Sequence, residues 1–370
     1  MGFPLGLLLV LQQPIIVDGH IDTPQRMLDM KADITARLPD GHIDVPRMHE
    51  GGLTAAFFSI WVDARYGRGT AFRRALDLIG AVRALADTNP EVELATTAED
   101  VRAAAARGHI AALMGVEGGH AIETSLENLD SLYRLGVRYM TLTWNNGNEW
   151  AGSSTDPDRH GGLTPFGRSV VKRMNELGML VDVSHVSDAT FRDVLAVTTR
   201  PVIASHSSCR TLAHHPRNLS DDQLRAIAKN GGVVGINFYP VFLDDHFRDQ
   251  YEELRRRLRP ETDAIRARYR SRPGESAFEV DKFVGQAAES LDVPTIDRLV
   301  DHIDHAVQVM GIDHVGLGSD FDGISVLPRP MKDATSLPEV VRALEARGYS
   351  DSGLRKILGE NFLRVLTAGP

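Results

Sequence analysis

Six side chains able to bind a divalent metal ion, His20, Asp22, Glu117, His185, His206 and Asp320, stand far apart in the sequence, yet each falls at or just beyond the end of a short apolar run. Imidazole and carboxylate together make a borderline-to-hard nitrogen and oxygen donor set, which suits zinc and also accepts manganese or cobalt. Cys209 is the one cysteine, so no thiolate set is available for a structural zinc knot. A carboxylate can span two ions, which makes Glu117 the natural bridge of a two-metal site. Two ions sharing a water lower its pKa toward neutrality and supply a hydroxide able to attack an amide carbonyl. A single histidine at a strand end is more often a hydrogen-bonded structural residue than a ligand. The case rests on six residues of the right type in comparable places.

Those places imply an architecture. Apolar, β-branched runs recur at 14–20, 53–62, 109–117, 138–144, 179–185, 201–206, 232–239 and 314–320, and segments of helical periodicity lie between them, as at 69–87, 126–135, 165–177, 187–198, 221–229 and 294–310. Strands alternating with helices pair in parallel, and eight such units match a closed (β/α)8 barrel of the TIM type, an α/β fold. The carboxyl ends of its strands share one face, so the six residues become neighbours. An open, doubly wound sheet is the alternative, which the strand count disfavours. The polar, helix-prone interval 242–291 breaks the rhythm and reads as a helical insertion after the seventh strand. One barrel domain then accounts for residues 1–370, with 1–13 as a leader or disordered segment and 336–348 and 352–366 as closing helices.

Composition narrows the function. The formal charge of −9 gives no footprint for nucleic acid or an anionic membrane surface. The basic run Arg255–Arg259 lies beside Glu252, Glu253 and Glu261 and reads as a solvated helix face. The apolar stretch 5–11 is too short to span a bilayer, and one cysteine fits a reducing compartment, so a cytoplasmic location is expected. Among the other histidines, His302 and His305 fall at i, i+3 on an outer helix and read as surface residues. His109 and His314 begin strands, on the barrel's stability face. His120 follows Glu117 closely enough for a supporting role, and His214 and His215 stay unassigned.

Several segments in order along the chain resemble the membrane, or renal, dipeptidase family of zinc peptidases, in a bacterial-type form: Val17-Asp18-Gly19-His20-Ile21-Asp22, Gly115-Val116-Glu117-Gly118-Gly119-His120, Val181-Asp182-Val183-Ser184-His185, Ser205-His206-Ser207-Ser208, Arg217-Asn218 and Gly318-Ser319-Asp320-Phe321-Asp322-Gly323. The resemblance implies that His20 and Asp22 bind one Zn2+, His185 and His206 a second, and Glu117 both. It implies that Asp320 moves protons and that Arg217 holds the free carboxylate of a dipeptide, often one with a D-residue at its C-terminal position. It also implies a homodimer. The chain departs from the family's better-known members at Leu142-Thr143-Trp144-Asn145-Asn146, where they carry a carbonyl-polarising His after the fourth strand. An indole donates one hydrogen bond and cannot titrate, so Trp144 is expected to be an apolar wall, with Asn145 or Asn146 offering an amide to the oxyanion. The contrary reading places Trp144 in the barrel core. Two alternatives to a dipeptidase remain: an amidohydrolase acting on another small amide, such as an acylated amino acid or a β-lactam, and a catalytically silent binding protein. The usual amidohydrolase His-x-His is here His20-Ile21-Asp22, and a silent protein would be expected to have lost ligands that this chain keeps.

Overall fold

The structure, a computed structural model, describes residues 14–156 and 160–367; the leader expected over 1–13 lies outside them. Among the described residues nine strands form: β1 (Ile16–Ile21), β2 (Leu53–Trp61), β3 (Val92–Leu94), β4 (Ile110–Glu117), β5 (Val137–Thr141), β6 (Leu180–Asp182), β7 (Ile203–Ser207), β8 (Val233–Asn237) and β9 (Val315–Gly318). All pair in parallel, in the order β2-β1-β9-β8-β7-β6-β5-β4, and β2 returns to β4 to close an eight-stranded barrel. The expected (β/α)8 fold is the observed one. The ninth strand, β3, pairs only with the start of β4, opposite Ile110–Ala112. It fills the edge of β4 that β5 does not reach, since β5 first pairs at Met114. At three residues, Val-Glu-Leu, it lacks the apolar run that marks the other eight.

The strands are buried on both faces, as parallel strands covered by helices must be. Outward-facing residues such as Phe58, Met114, Val181 and Ile236 pack with the surrounding helices in the largest apolar cluster. Inward-facing Val17, Phe57, Leu113, Tyr139 and Ile203 fill the barrel and meet Phe362 of the C-terminal helix Asn361–Thr367. Space for the large rings comes from glycine: a Cβ on Gly115 would stand 2.0 Å from the Tyr139 ring, and one on Gly316 would stand 2.6 Å from Phe362. Helix boundaries follow local chemistry. Thr164 caps the helix Pro165–Leu177 through the Gly167 N–H, and the chain leaves that helix through Gly178 in the left-handed region before entering β6.

After β8 the chain forms the helices Pro240–Leu243, Asp245–Arg257, Arg259–Arg268 and Pro273–Ala288, as the helix-prone interval predicted. They carry an apolar cluster of their own around Phe247, Tyr251, Leu254, Val280 and Val284. The last of them lies against the helix Thr23–Asp29 that follows β1, where a Cβ on Gly274 would meet Asp29 Oδ2 at 2.0 Å. The insertion is thereby set beside the strand that carries His20. His302 proves buried: Nδ1 accepts from the Cys209 N–H at 3.1 Å and Nε2 donates to the Leu243 carbonyl at 2.9 Å. It joins the helix Ile296–Met310 to the loop after β7 and to the start of the insertion, so the surface reading is corrected. His305 is partly buried and pairs with Asp221. No helix among the described residues is long and apolar enough to cross a membrane.

Candidate functional site

At the carboxyl face of the barrel, β1 delivers His20 and, one residue past its end, Asp22, while Glu117 ends β4 and His206 lies within β7. His185 follows β6 by three residues and Asp320 follows β9 by two, both with left-handed backbone, φ 67° and 64°. Such a conformation costs a non-glycine residue on the order of 1–3 kcal/mol and persists only where its surroundings impose it. These six side chains, scattered in sequence, come together in one cluster, buried except for Asp320, which is half-buried. His20, Glu117 and His206 each place a ligand atom within 4.8 Å of the others, and so do His20, Asp22 and Asp320.

The proton on each imidazole is fixed by its neighbour. Tyr139 donates its hydroxyl to the Gly19 carbonyl at 3.2 Å, so its oxygen must accept from His20 Nδ1, 2.8 Å away. Ser205 Oγ donates to Asp182 Oδ2 at 2.6 Å and therefore accepts from His206 Nδ1 at 2.7 Å. His185 Nδ1 meets the amide oxygen of Asn145 at 3.1 Å, which can only accept. In the neutral ring each Nε2 is then a lone pair, the arrangement that metal-binding histidines adopt.

Those lone pairs converge on Glu117. His185 Nε2 and His206 Nε2 lie 3.0 Å apart, and 2.8 and 3.5 Å from Glu117 Oε1. His20 Nε2 lies 3.3 Å from Glu117 Oε2 and 3.5 Å from Asp22 Oδ2. The Glu117 carboxylate is thus divided, one oxygen to each histidine group. Lone pairs and carboxylate oxygens repel at such distances unless a cation lies between them. Two nitrogens held tetrahedrally by one zinc at about 2.0–2.1 Å would stand about 3.3 Å apart, close to the spacing seen. His20 Nε2 and Asp22 Oδ1 are also buried without a hydrogen bond. The donor set fits divalent metal.

Electrostatics agree with that fit. Burial, then the nearby Arg217, pushes His185 down to about 3, and burial with His20 holds His206 well below the ordinary imidazole value, so both stay neutral. Burial also works against a proton on His20, but Tyr139, Glu117 and Asp22 outweigh it and hold that imidazole well above its usual value. A proton there occupies the position a cation would take. Burial raises Glu117, yet His20, with His185 and His206, brings it well below the usual carboxylate range. Asp320 is pushed up to about 7, by burial first and by Asp22 and Glu117, against His20 and the Asn237 hydrogen bond.

A cavity of about 550 Å³ opens above the cluster. Arg217 lines it, 3% exposed, with Nη2 donating to the His206 carbonyl at 3.1 Å and Nη1 to Ser207 Oγ at 3.4 Å. Its guanidinium has no ion pair within 4 Å among the described residues, and Nε is buried without a partner. Burial draws it down to about 10, still charged at neutral pH. Trp144 is half-buried in the cavity wall, edge-on to Trp61 with ring centroids 5.0 Å apart; the indole in the core is Trp150, 1% exposed. Asn145 lines the cavity but spends its amide oxygen on His185. Asn146 does not reach this cavity: its Nδ2 donates to the Gly147 carbonyl, and it lines a separate hollow with Tyr66 and His120. Asp322, two residues beyond Asp320, has a carboxylate that accepts from Thr23 Oγ1, the His42 N–H and Arg26 and is fully engaged. Asp320 has one side-chain hydrogen bond, from Asn237 Nδ2 to Oδ2 at 3.0 Å, and its Oδ1 is open. Gly323 must be small, since a Cβ there would stand 2.1 Å from Asp22 Oδ2 and 2.6 Å from Asp320 Oδ1.

The supporting residues Tyr139, Ser205, Asp182, Asn237 and Ser59 were not singled out from sequence. Ser59 Oγ lies 3.3 Å from Glu117 Oε2, and Asp18 Oδ1 accepts from the N–H groups of His20 and Ser319. An acidic residue two or three positions before a histidine, as in Asp18-Gly19-His20 and Asp182-Val183-Ser184-His185, is the signal that was available.

Against known proteins, the family described as membrane dipeptidase, peptidase family M19, matches residues 8–369. Among solved structures, the probable dipeptidase PvdM from Pseudomonas aeruginosa is 28% identical, with 96% of this chain and 95% of that one aligned at a TM-score of 0.81. A metallo peptidase of the M19 family, dipeptidase AC, is 28% identical over 96% of this chain and 98% of its own, at 0.78. A metallo peptidase from Rhodobacter sphaeroides, liganded with a phosphinate mimic of the dipeptide L-Ala-D-Ala, is 27% identical over 96% of this chain and all of its own, at 0.77. With a barrel, a divided carboxylate and a family match that spans nearly its whole length, this chain belongs to the membrane dipeptidase family, peptidase family M19.

Proposed function

We propose that this protein is a dipeptidase that works with two divalent ions, zinc by the character of its donors, and hydrolyses the amide bond of a dipeptide held by its free carboxylate. The observation that carries the reading is Glu117, whose two oxygens face separate histidine groups. His20, Asp22 and Glu117 would hold one ion, and His185, His206 and Glu117 the other. Such a pair, when bound, supplies a water acidified toward neutrality and a Lewis acid for the substrate carbonyl.

The rest falls to the chain's own residues. Arg217, a buried cation without an ion pair among the described residues, presents its guanidinium fork to the C-terminal carboxylate, the geometry that binds such a group in two places. Asp320, its plane set by Asn237, takes a proton from the attacking water at Oδ1 and returns it to the departing amine. Trp61 and Trp144 form an apolar wall that excludes competing water. Asn145 fixes the tautomer of His185 through its amide oxygen, which leaves its NH2 group to face the oxyanion. The ligand of the Rhodobacter sphaeroides relative supports a dipeptide substrate with a C-terminal D-residue.

Hydrolysis of alanyl-alanine and of its C-terminal amide by the zinc-loaded protein tests this reading. A charge-assisted contact is worth about 1.5–3 kcal/mol, so the amide should be cut about ten- to a hundredfold less efficiently. Equal cleavage of both would remove Arg217 from the reading, and cleavage of neither would remove the dipeptidase.

A further inference from the structure

The cavity does not end at the metal centre. Arg217 lies on the side of His185 and His206, whose imidazoles its charge depresses. Asp281 lines the same cavity from the helix Pro273–Ala288, which packs on the helix Thr23–Asp29 directly after Asp22, with Gly274 against Asp29 and Phe278 under Arg26. A dipeptide with its carboxylate on Arg217 and its amide over Glu117 therefore directs its N-terminal residue toward Asp22 and the insertion.

At that end the Asp281 carboxylate has no hydrogen bond or ion pair among the described residues. Its charged neighbours are largely committed elsewhere. Arg26 is held by Asp40 and Asp322, Lys282 by Asp40, and Arg266 by Asp263. Arg255 lies on the exposed face of the helix Asp245–Arg257, where water screens it, so the basic run is a solvated face with one member at the cavity rim. Burial pushes Asp281 up to about 7 in spite of Arg255 and Arg266. Asp281 is half-buried, and a carboxylate so placed without a partner is stabilised by a cation that the ligand brings. Beside it, Phe278 offers an apolar surface for a methylene stem, its ring already faced by the Arg26 guanidinium at 4.8 Å.

We propose that the insertion forms the subsite for the substrate's N-terminal side chain, and that Asp281 selects a cationic one, that of lysine, ornithine or arginine. This rests on the dipeptidase reading of the site. The α-ammonium is the other positive group available, but it is attached one carbon from the scissile carbonyl and is tied to the metal centre.

Three substrates with the same C-terminal alanine separate these sources: lysyl-alanine, Nε-acetyllysyl-alanine and alanyl-alanine. For the wild-type, zinc-loaded enzyme, kcat/KM for lysyl-alanine should exceed that for the acetylated form tenfold or more. Asp281→Asn should bring that ratio to within about threefold, and Arg255→Ala, which removes a competing cation, should widen it. A ratio unchanged in Asp281→Asn overturns the proposal, and so does an equal loss on all three substrates, which would assign Asp281 to the α-ammonium or to structure. A ratio unmoved by Arg255→Ala, with thermal unfolding of Asp281→Asn lowered, would make the two residues simply each other's partners. If the wild type cuts none of the three, the dipeptidase reading itself fails and takes the subsite with it; cleavage without selectivity defeats the subsite alone.

Discussion

Replacing Tyr139 by Phe removes one oxygen atom from the barrel interior, and the structure allows its effect to be worked out. That oxygen serves two buried groups, accepting from His20 Nδ1 at 2.8 Å and donating to the Gly19 carbonyl at 3.2 Å. Phenylalanine keeps the ring against Phe57 and above Gly115, so packing changes little. Both groups are left without a partner where water cannot reach them, at about 1–3 kcal/mol each, and a loss of about 2–6 kcal/mol in folding stability follows. The imidazole also loses the contact that fixes its tautomer and orientation. Outer contacts of this kind typically change metal affinity by about 10–100-fold, or about 1.4–2.7 kcal/mol.

The loss should be one-sided. His185 and His206 are oriented by Asn145 and Ser205, which Tyr139 does not touch. Calorimetric titration of the metal-stripped variant with zinc should show one weakened site and one close to wild type, and thermal unfolding gives the stability term. Equal weakening of both sites would show that the ligands are not divided as Glu117 suggests. Two unaltered affinities would refute the orienting role outright.

Asp320→Asn should retain both ions and lose about 10²–10⁴ in kcat, since an amide cannot carry the proton; near-normal turnover in steady-state assays would send the role elsewhere. Arg217→Ala should chiefly raise KM for free dipeptides while leaving the rate on amidated ones close to that of the wild type. Trp144→Ala should reorder a dipeptide panel with little change in unfolding temperature, whereas Trp150→Ala should cost about 3–5 kcal/mol because that indole is in the core; a reversal of the two would move the wall. Stripping the metal should lower the melting temperature, and zinc at a hundred times Kd should restore about 2.7 kcal/mol, a dependence that differential scanning calorimetry reads directly.

The barrel was legible because every strand in the ring carries an apolar run of its own, and the six ligand-type residues were legible because those runs end on them. What lay hidden depended on distance in the chain or on backbone shape. Tyr139 meets His20 across 119 positions, and nothing near either one marks the pair. The run expected at 179–185 yields only Leu180–Asp182 as strand, because His185 takes a left-handed conformation that no ladder can extend. The i, i+3 spacing of His302 and His305 suggested an exposed face, yet Leu299, Ile303 and Ala306 already trace the buried stripe of that helix, and His302 lies on it. Asn146 was paired with Asn145 by adjacency alone, and successive loop residues diverge. Asp320 and Asp322 share a backbone conformation and a residue type, so only the partners of Asp322 separate them.

Two buried carboxylates in the same barrel show how the chain distinguishes architecture from chemistry. Asp182 accepts hydrogen bonds from Thr141 Oγ1, Ser205 Oγ and the N–H groups of Ser184 and Ser205, at 2.6–3.0 Å. Neutral donors satisfy it completely, and it ties together β5, β6 and β7 without need of an ion. Glu117 is surrounded differently. Ser59 supplies one long contact, and its remaining neighbours are imidazole nitrogens whose protons are engaged on the opposite side of the ring. The same barrel could have surrounded Glu117 with hydroxyls, as it does Asp182, and been the more stable for it. It turns lone pairs inward instead, and holds His185 and Asp320 in strained backbone to do so. Local features that cost stability and serve no packing purpose are expected where binding or catalysis requires them. The saturated Asp182, a few ångströms of hydrogen bonding from His206 through Ser205, carries the orientation of the unsaturated centre, so that the part of the site that needs no metal fixes the geometry of the part that does.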